Sequence, residues 1–256
     1  MLRRLDLNSD MGERDSPHGW GLDAALMPLL TSVNIACGGH AGSTDLMRRT
    51  AAVAHEHHVA IGAHPGFPDR STFGREERHG TANEIRALVS EQVMTCRTVL
   101  EAEGLTLRHL KPHGALYNMA TRDEGVAEAI VTAVRDVDSS LLLYALAGSV
   151  LARIGEAAGL AVVHEGFADR AYRADGQSVS RREAGALIEQ EEAVREQLRQ
   201  LINGAVMTIE GTWIPMSIHT LCLHSDTPEA LALARTIREE LARNEIEVFA
   251  PDHAKP

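Results

Sequence analysis

Apolar residues along the chain come in two alternating textures. Short, continuously apolar or β-branched runs recur: "RRLDLN", "SVNIA", "VAIGAH", "LRHLK", "SLLLYAL", "LAVVHE", "IHTLCLH" and "IEVFA". Runs of this kind read as strands buried on both faces. Between them, "STDLMRRTAAVAHEHH", "TANEIRALVSEQVMTCRTVLEAEG", "GVAEAIVTAVRDV" and "TPEALALARTIREELARN" space their apolar residues at the helical period. Thr81 with Glu84, and Thr121 with Glu124, have the spacing of capping boxes. Gly104 ends the second helix, and Pro228 suits the first turn of the last. The stretch Val206 to Ile214 breaks the rhythm and predicts a small hairpin turning at Glu210-Gly211.

Seven or eight strand–helix units within 256 residues predict a (β/α) barrel. No low-complexity linker divides the chain, so residues 1–256 read as one barrel domain with a hairpin insertion near 205–215. A doubly wound open sheet is the alternative. The glycine fingerprint that usually follows its first strand is missing, and so is a phosphate-binding P-loop.

Composition narrows the picture. The net charge of -11, with basic residues scattered, argues against a nucleic-acid stripe or a polybasic membrane patch. Cys37, Cys96 and Cys222 form no CxxC pair and suggest a reducing compartment. No apolar run is long enough to span a bilayer and no signal peptide opens the chain, so a soluble, cytoplasmic protein is expected.

Chemistry gathers where strands end. After the first come Asp6, Asn8, Asp10 and Glu13; after the second, Asn34, Cys37 and His40; after the third, His64 and Asp69. The fourth runs into "LKPHGALYN" with Lys111, His113 and Asn118. Further on stand His164, Glu165, Asp169 and Arg170, then His224 and Asp226. In a barrel these ends share one face, where active sites form.

A lone histidine is more often a hydrogen-bonded structural residue, but His40, His64 and His113 at successive strand ends point to function. "HEHH" (His55, His57, His58) reads as a solvated helix face, and Cys37 as a small buried thiol rather than a nucleophile. Lys111 and Arg170 suit an anionic group, Arg170 through a bidentate carboxylate contact. Two mechanisms stay open. Asp10, His40 and His64 would hold a divalent metal, or a carboxylate and a histidine would act as base and acid without one.

"DLNSDMGE", "NIACGGHAG", "GAHPGFPD", "LKPHGALYN" and "EGFADRAY", in this order and spacing, resemble the LamB/YcsF family, the A subunits of 5-oxoprolinase. The resemblance runs over nearly the whole chain. It implies a distorted β/α barrel of seven or eight strands, similar to the glycoside hydrolase/deacetylase barrels. It also implies ATP-dependent opening of 5-oxoproline to L-glutamate, together with partner subunits B and C. The family's motif positions fall here on Asp6, Asn8, Asp10, Glu13, Asn34, Cys37, His40, His64, Asp69, Lys111, His113, Asn118, Glu165, Asp169 and Arg170.

From the chemistry that opening a lactam requires, Asp10, His40, His64, His113 and Glu165 are expected to be catalytic. Asn8, Glu13, Asn34, Arg75, Lys111, Asn118, Asp169 and Arg170 are expected to bind substrate or phosphate, with Lys111 or Arg75 at the phosphate and Arg170 at the substrate carboxylate. ATP enters as co-substrate, held here or by a partner. Alternatives are a metal-dependent amidohydrolase or deacetylase on another small molecule, and a non-catalytic scaffolding subunit. Gly39, Ser43 and Ser225 depart from the family's usual phenylalanine, aspartate and glycine, and Asp45 is a candidate to replace the carboxylate missing at 43.

Overall fold

The structure, a computed structural model, describes residues 2–181, 183–223 and 229–252. The chain begins with β1 (Arg4–Met11), α1 (Pro17–Leu26), one 3-10 turn (Met27–Leu29), β2 (Ser32–Ala36), α2 (Thr44–Glu56) and β3 (Ala60–His64). It continues through α3 (Ala82–Ala102), β4 (His109–Leu110), α4 (Gly114–Ala120), α5 (Glu124–Asp138), β5 (Leu142–Leu146), α6 (Val150–Ala157) and β6 (Val162–Phe167). Then follow α7 (Glu191–Ile202), β7 (Ala205–Met207), β8 (Trp213–Pro215), β9 (Thr220–Cys222), α8 (Ala230–Arg243) and β10 (Glu247–Val248).

Strands β1 to β6 pair in sequence order, all parallel, and β9 pairs with both β6 and β1. The result is a closed seven-stranded barrel with helices outside it. The eighth run read from sequence, "IEVFA", is not a full stave. As β10 it pairs only with the start of β1, Arg4 with Glu247 and Leu5 with Val248. The strand β1 thus has β10 beside its first residues and β9 beside Asp6 to Asn8. The irregular stretch folds as an antiparallel hairpin, β7 on β8.

Strand alternation sorts the side chains. Leu5, Leu7, Val33, Ile35, Ile61, Leu110, Leu143 and Leu221 join one large apolar cluster with the helices. The opposite faces carry Asp6, Asn8, Ser32, Asn34, His109, Lys111, Glu165 and Thr220, every one buried. Barrel interiors of this architecture are usually layered with branched apolar residues. Here, among the described residues, Leu142, Tyr144 and Val163 form a small apolar patch beside the buried polar groups. Gly62 makes this possible, since a Cβ there would meet the His109 ring at 2.1 Å.

Helix starts are chemically marked. Ser16, Ser43, Asp123 and Ser149 each accept a hydrogen bond from a first-turn N–H, and Thr81 with Glu84 completes the expected capping box. The box expected from Thr121 and Glu124 does not form. Asp123 caps α5, while Thr121 closes α4 by donating its hydroxyl to the Asn118 carbonyl at 2.7 Å. A carboxylate one residue before the helix outcompetes a threonine three before it. Pro228, His224, Ser225 and Asp226 lie outside the described residues. Among the described residues no helix is long and apolar enough to cross a membrane.

Candidate active site

A hydrogen-bonded floor closes the upper barrel. Asn8 donates to Glu165 Oε1 (3.0 Å) and Thr220 Oγ1 (2.7 Å), and Asn34 donates to Asn8 Oδ1 (2.7 Å) and Asp10 Oδ1 (2.9 Å). His109 Nε2 meets Asn34 Oδ1 at 2.8 Å. Lys111 Nζ lies 2.7 Å from Glu165 Oε1 and 3.1 Å from Asp10 Oδ1, with Cys222 Sγ accepting at 3.1 Å. Burial opposes charge on Lys111, yet Asp10, Cys222 and Glu165 outweigh it and hold the ammonium well above its usual range. It is a fixed cation, not a base. Tyr117 donates to Glu165 Oε2 at 2.7 Å, and burial, with Glu165, keeps its phenol protonated. An orphaned donor in such a place would cost about 1–3 kcal/mol, so the groups are mutually fixed.

Above this floor three imidazoles converge. His64 ends β3, its Nδ1 2.8 Å from the Lys111 carbonyl. His113 follows β4, its Nε2 2.8 Å from the Phe73 carbonyl. Carbonyls only accept, so both nitrogens donate. His40 lies flat on His113, centroids 3.6 Å apart at 4°, and its Nε2 is 3.1 Å from Glu13 Oε1. Burial, reinforced by His64, pulls His40 down to about 2 and His113 down to about 3. Burial pushes Glu13 up against the pull of His113 and His64. Both rings therefore stay neutral at pH 7.

The ligating atoms of Glu13, His40, His64 and His113 all lie within 4.8 Å of one another, which fits a divalent metal. Sequence reasoning placed Asp10 with His40 and His64 in a metal set. In the structure Asp10 flanks the group instead, Oδ2 3.3 Å from His64 Nε2, and Glu13 and His113 complete it.

A cavity of about 1130 Å³ opens over Asp10, Glu13, His64 and His113 towards Arg75, Asn118 and Arg170. Arg75 stacks over the Phe73 ring at 5.1 Å. Arg170 donates to the Val179 carbonyl at 2.6 Å, and its Nε is buried with no partner. Asn8, Asn34 and Glu165 belong to the floor rather than the wall. Asp169 adjoins the cavity without lining it, its carbonyl accepting from Ile188 N–H at 2.9 Å. His55, His57 and His58 are exposed at the end of α2. Cys37 is buried, donates to the Ile35 carbonyl, and burial raises its thiol far above the usual range.

Two departures from the family pattern now have physical readings. Ser43 caps α2 through Leu46 N–H, a task aspartate performs equally well. Asp45 is exposed and pairs with Arg48 at 2.8 Å, so it replaces nothing at the mouth. Gly39 faces Gln92, whose Oε1 would sit 2.5 Å from a Cβ there. Gln92 also holds both backbone groups of Gly66.

Sequence reasoning missed Tyr117, His109 and the Phe73 carbonyl. Period-two spacing from Lys111 was a signal for His109. Nothing local marked a main-chain oxygen.

The comparisons agree with this architecture. The crystal structure of a lactam utilization protein from Thermus thermophilus superposes with a TM-score of 0.89 at 40% identity, covering 97% of this chain and all of that one. The catalytic domain of a peptidoglycan N-acetylglucosamine deacetylase from Eubacterium rectale shares the fold at TM-score 0.54 and 10% identity, covering the whole of this chain and 91% of that one. A Methylococcus capsulatus protein, named as the A subunit of 5-oxoprolinase, is 49% identical over 251 residues, 98% of this chain and 96% of its own. The LamB/YcsF sequence model matches residues 5–255, and with identity of that order over almost the entire barrel, the chain belongs to the LamB/YcsF family.

Proposed function

We propose that this chain opens 5-oxoproline to L-glutamate in an ATP-dependent, cytoplasmic complex, as the A component beside partner subunits B and C. The observation that carries the reading is the cavity floor itself, where Asp10, Glu13, His64 and His113 adjoin the buried Lys111–Glu165 pair. The relative at 49% identity bears the name of the 5-oxoprolinase A component.

A lactam carbonyl is a resonance-stabilised amide, so water adds only when the carbonyl is activated and a base takes the proton. Asp10 is the base in this reading. One of its oxygens is held by Lys111 and Asn34, and the other faces the histidines. Lys111 supplies fixed positive charge beside developing oxyanion density. Arg170 takes the substrate carboxylate, and Arg75 takes a phosphate delivered from ATP to the carbonyl oxygen. His40 and Glu165 hold neighbouring groups rather than touch the substrate: His40 contacts Glu13, and Glu165 holds Lys111 and Tyr117.

The test is glutamate release from 5-oxoproline with ATP, with and without subunits B and C. Release that needs this chain, and is lost in Asp10→Asn, supports the reading. No glutamate in any combination overturns it. A second reading, an ATP-independent amidohydrolase, is favoured by the convergence of Glu13, His40, His64 and His113. Amide cleavage by the isolated chain without ATP would select it.

A further inference from the structure

His64 Nε2 and His113 Nδ1 face each other at 2.9 Å. Each ring has already committed its other nitrogen as a donor to a carbonyl, His64 to Lys111 and His113 to Phe73. A neutral imidazole carries one N–H, so two lone pairs point at one spot. Glu13 Oε1 lies 3.4 Å from His113 Nδ1 and Asp10 Oδ2 3.3 Å from His64 Nε2, adding carboxylate oxygens on either side. Two buried ring nitrogens and a carboxylate oxygen converging this closely, with both outer nitrogens already spent on carbonyls, suit a cation held between them.

We propose that His64 Nε2, His113 Nδ1 and the Glu13 carboxylate hold a resident divalent cation of the zinc class, with His40 fixing Glu13 rather than serving as a fourth ligand. At metal–nitrogen distances near 2.0–2.1 Å, tetrahedral ligands stand about 3.3 Å apart. The observed 2.9 and 3.4 Å separations bracket that spacing. Two imidazoles and a carboxylate suit zinc, and carbonyl partners behind each imidazole are the usual device for aiming a ligand's lone pair.

His40 behaves differently. Its Nε2 is 3.1 Å from Glu13, its Nδ1 has no partner, and it is absent from the cavity wall that Glu13, His64 and His113 line. Glu13, His64 and His113 line the cavity together with Asp10, so an ion held by them would be open to a substrate, as catalytic rather than structural zinc is.

The surroundings are built to this end. Phe73 is left-handed, φ 58°, which costs a side-chain-bearing residue energy. That conformation aims its carbonyl at His113. Gly66 and Gly74 pack so closely that a Cβ on either would come within 2.7 Å of His40. The part such an ion plays in catalysis rests on the function proposed above, whereas its binding does not.

The experiment uses the full chain, stripped by chelator and dialysed against Zn²⁺ or Co²⁺, with metal counted by plasma mass spectrometry. One equivalent per chain is expected, with visible d–d absorption in the Co²⁺ form. His64→Ala, His113→Ala and the milder Glu13→Gln each lower affinity at least about a hundredfold, with folding checked by circular dichroism. His40→Ala keeps one equivalent at an affinity lowered about 10–100-fold, and His40→Asn, which can still donate to Glu13, recovers part of it. Absence of stoichiometric metal at saturating Zn²⁺ and Co²⁺ overturns the site, leaving a proton shared between His64 and His113. Loss of the equivalent in His40→Ala overturns the three-ligand assignment. A chain that binds metal yet releases no glutamate with B and C refutes the function and leaves the site standing.

Discussion

Lys111 Nζ and Glu165 Oε1 meet at 2.7 Å inside the barrel, with side-chain exposures of 4% and 0%. Separating two such charges is expensive because the one left behind has no solvent. Lys111→Met is expected to lose about 3–5 kcal/mol of stability in urea unfolding. Lys111→Met with Glu165→Gln recovers part of that loss. If the double variant is as unstable as the two singles summed, the pair is not its source.

Asp23 gives a pH signature. Burial raises its carboxyl from 3.8 to about 6, against the pull of the Gly12 N–H. A carboxyl raised in the folded state keeps its proton longer there than in the unfolded chain. Its stabilising share is therefore whole below pH 4 and drains away as pH rises from about 4 to 6. Asp23→Asn, which retains an acceptor for Gly12, is expected to be more stable than wild type at pH 7 by about 1–3 kcal/mol. The two should coincide near pH 4. Paired urea melts at pH 4 and pH 7 measure the difference, and equal gaps at both would refute it.

Asp69 organises the loop that carries Phe73. It accepts from the N–H and hydroxyl groups of Ser71 and Thr72 and from Arg78, and Ser71, Thr72 and Arg78 hold its carboxyl well below the usual range. Asp69→Ala should speed hydrogen exchange at Ser71, Thr72 and Gly74 while leaving α3 protected. The affinity for the proposed ion falls too, because the Phe73 carbonyl no longer holds His113.

Gly39 and Gln92 compete for one space. Gly39→Phe is expected to cost about 1–3 kcal/mol as an overpacked site, because Gly66 O and Gln92 Oε1 stand 2.7 and 2.5 Å from the new Cβ. Adding Gln92→Ala should return part of the loss in thermal melts. No recovery would mean the Gly66 backbone, not Gln92, sets the limit.

Strands were legible because they are continuously apolar, and "SVNIA" matches β2 from Ser32 to Ala36. The helices α1, α4, α6 and α7 were not read. The first is glycine-bearing, α4 has seven residues and α6 eight, too few turns for a period to stand out. Motif spacing brought Asp10, His64 and His113 to one mouth, with His40 stacked against His113 behind the wall, as their positions after successive strands demanded. It could not show that Lys111, which lines the cavity, would also be pinned by charged neighbours. That depends on Asp10, Glu165 and Cys222 arriving from three other strands. The tautomers of His64 and His113 are set by main-chain oxygens, which no residue name reveals.

Because β1 is flanked by β9 at Asp6 to Asn8 and by β10 at Arg4 and Leu5, it is finished by strands near residues 220 and 247. A ribosome must therefore have made β9, at Thr220–Cys222, before the ring can shut. Until then Asn8, at the heart of the polar floor, lacks Thr220. Closure of the scaffold is therefore a late, long-range event, whereas Glu13, His40, His64 and His113 are all supplied by the first four staves and the loops after them.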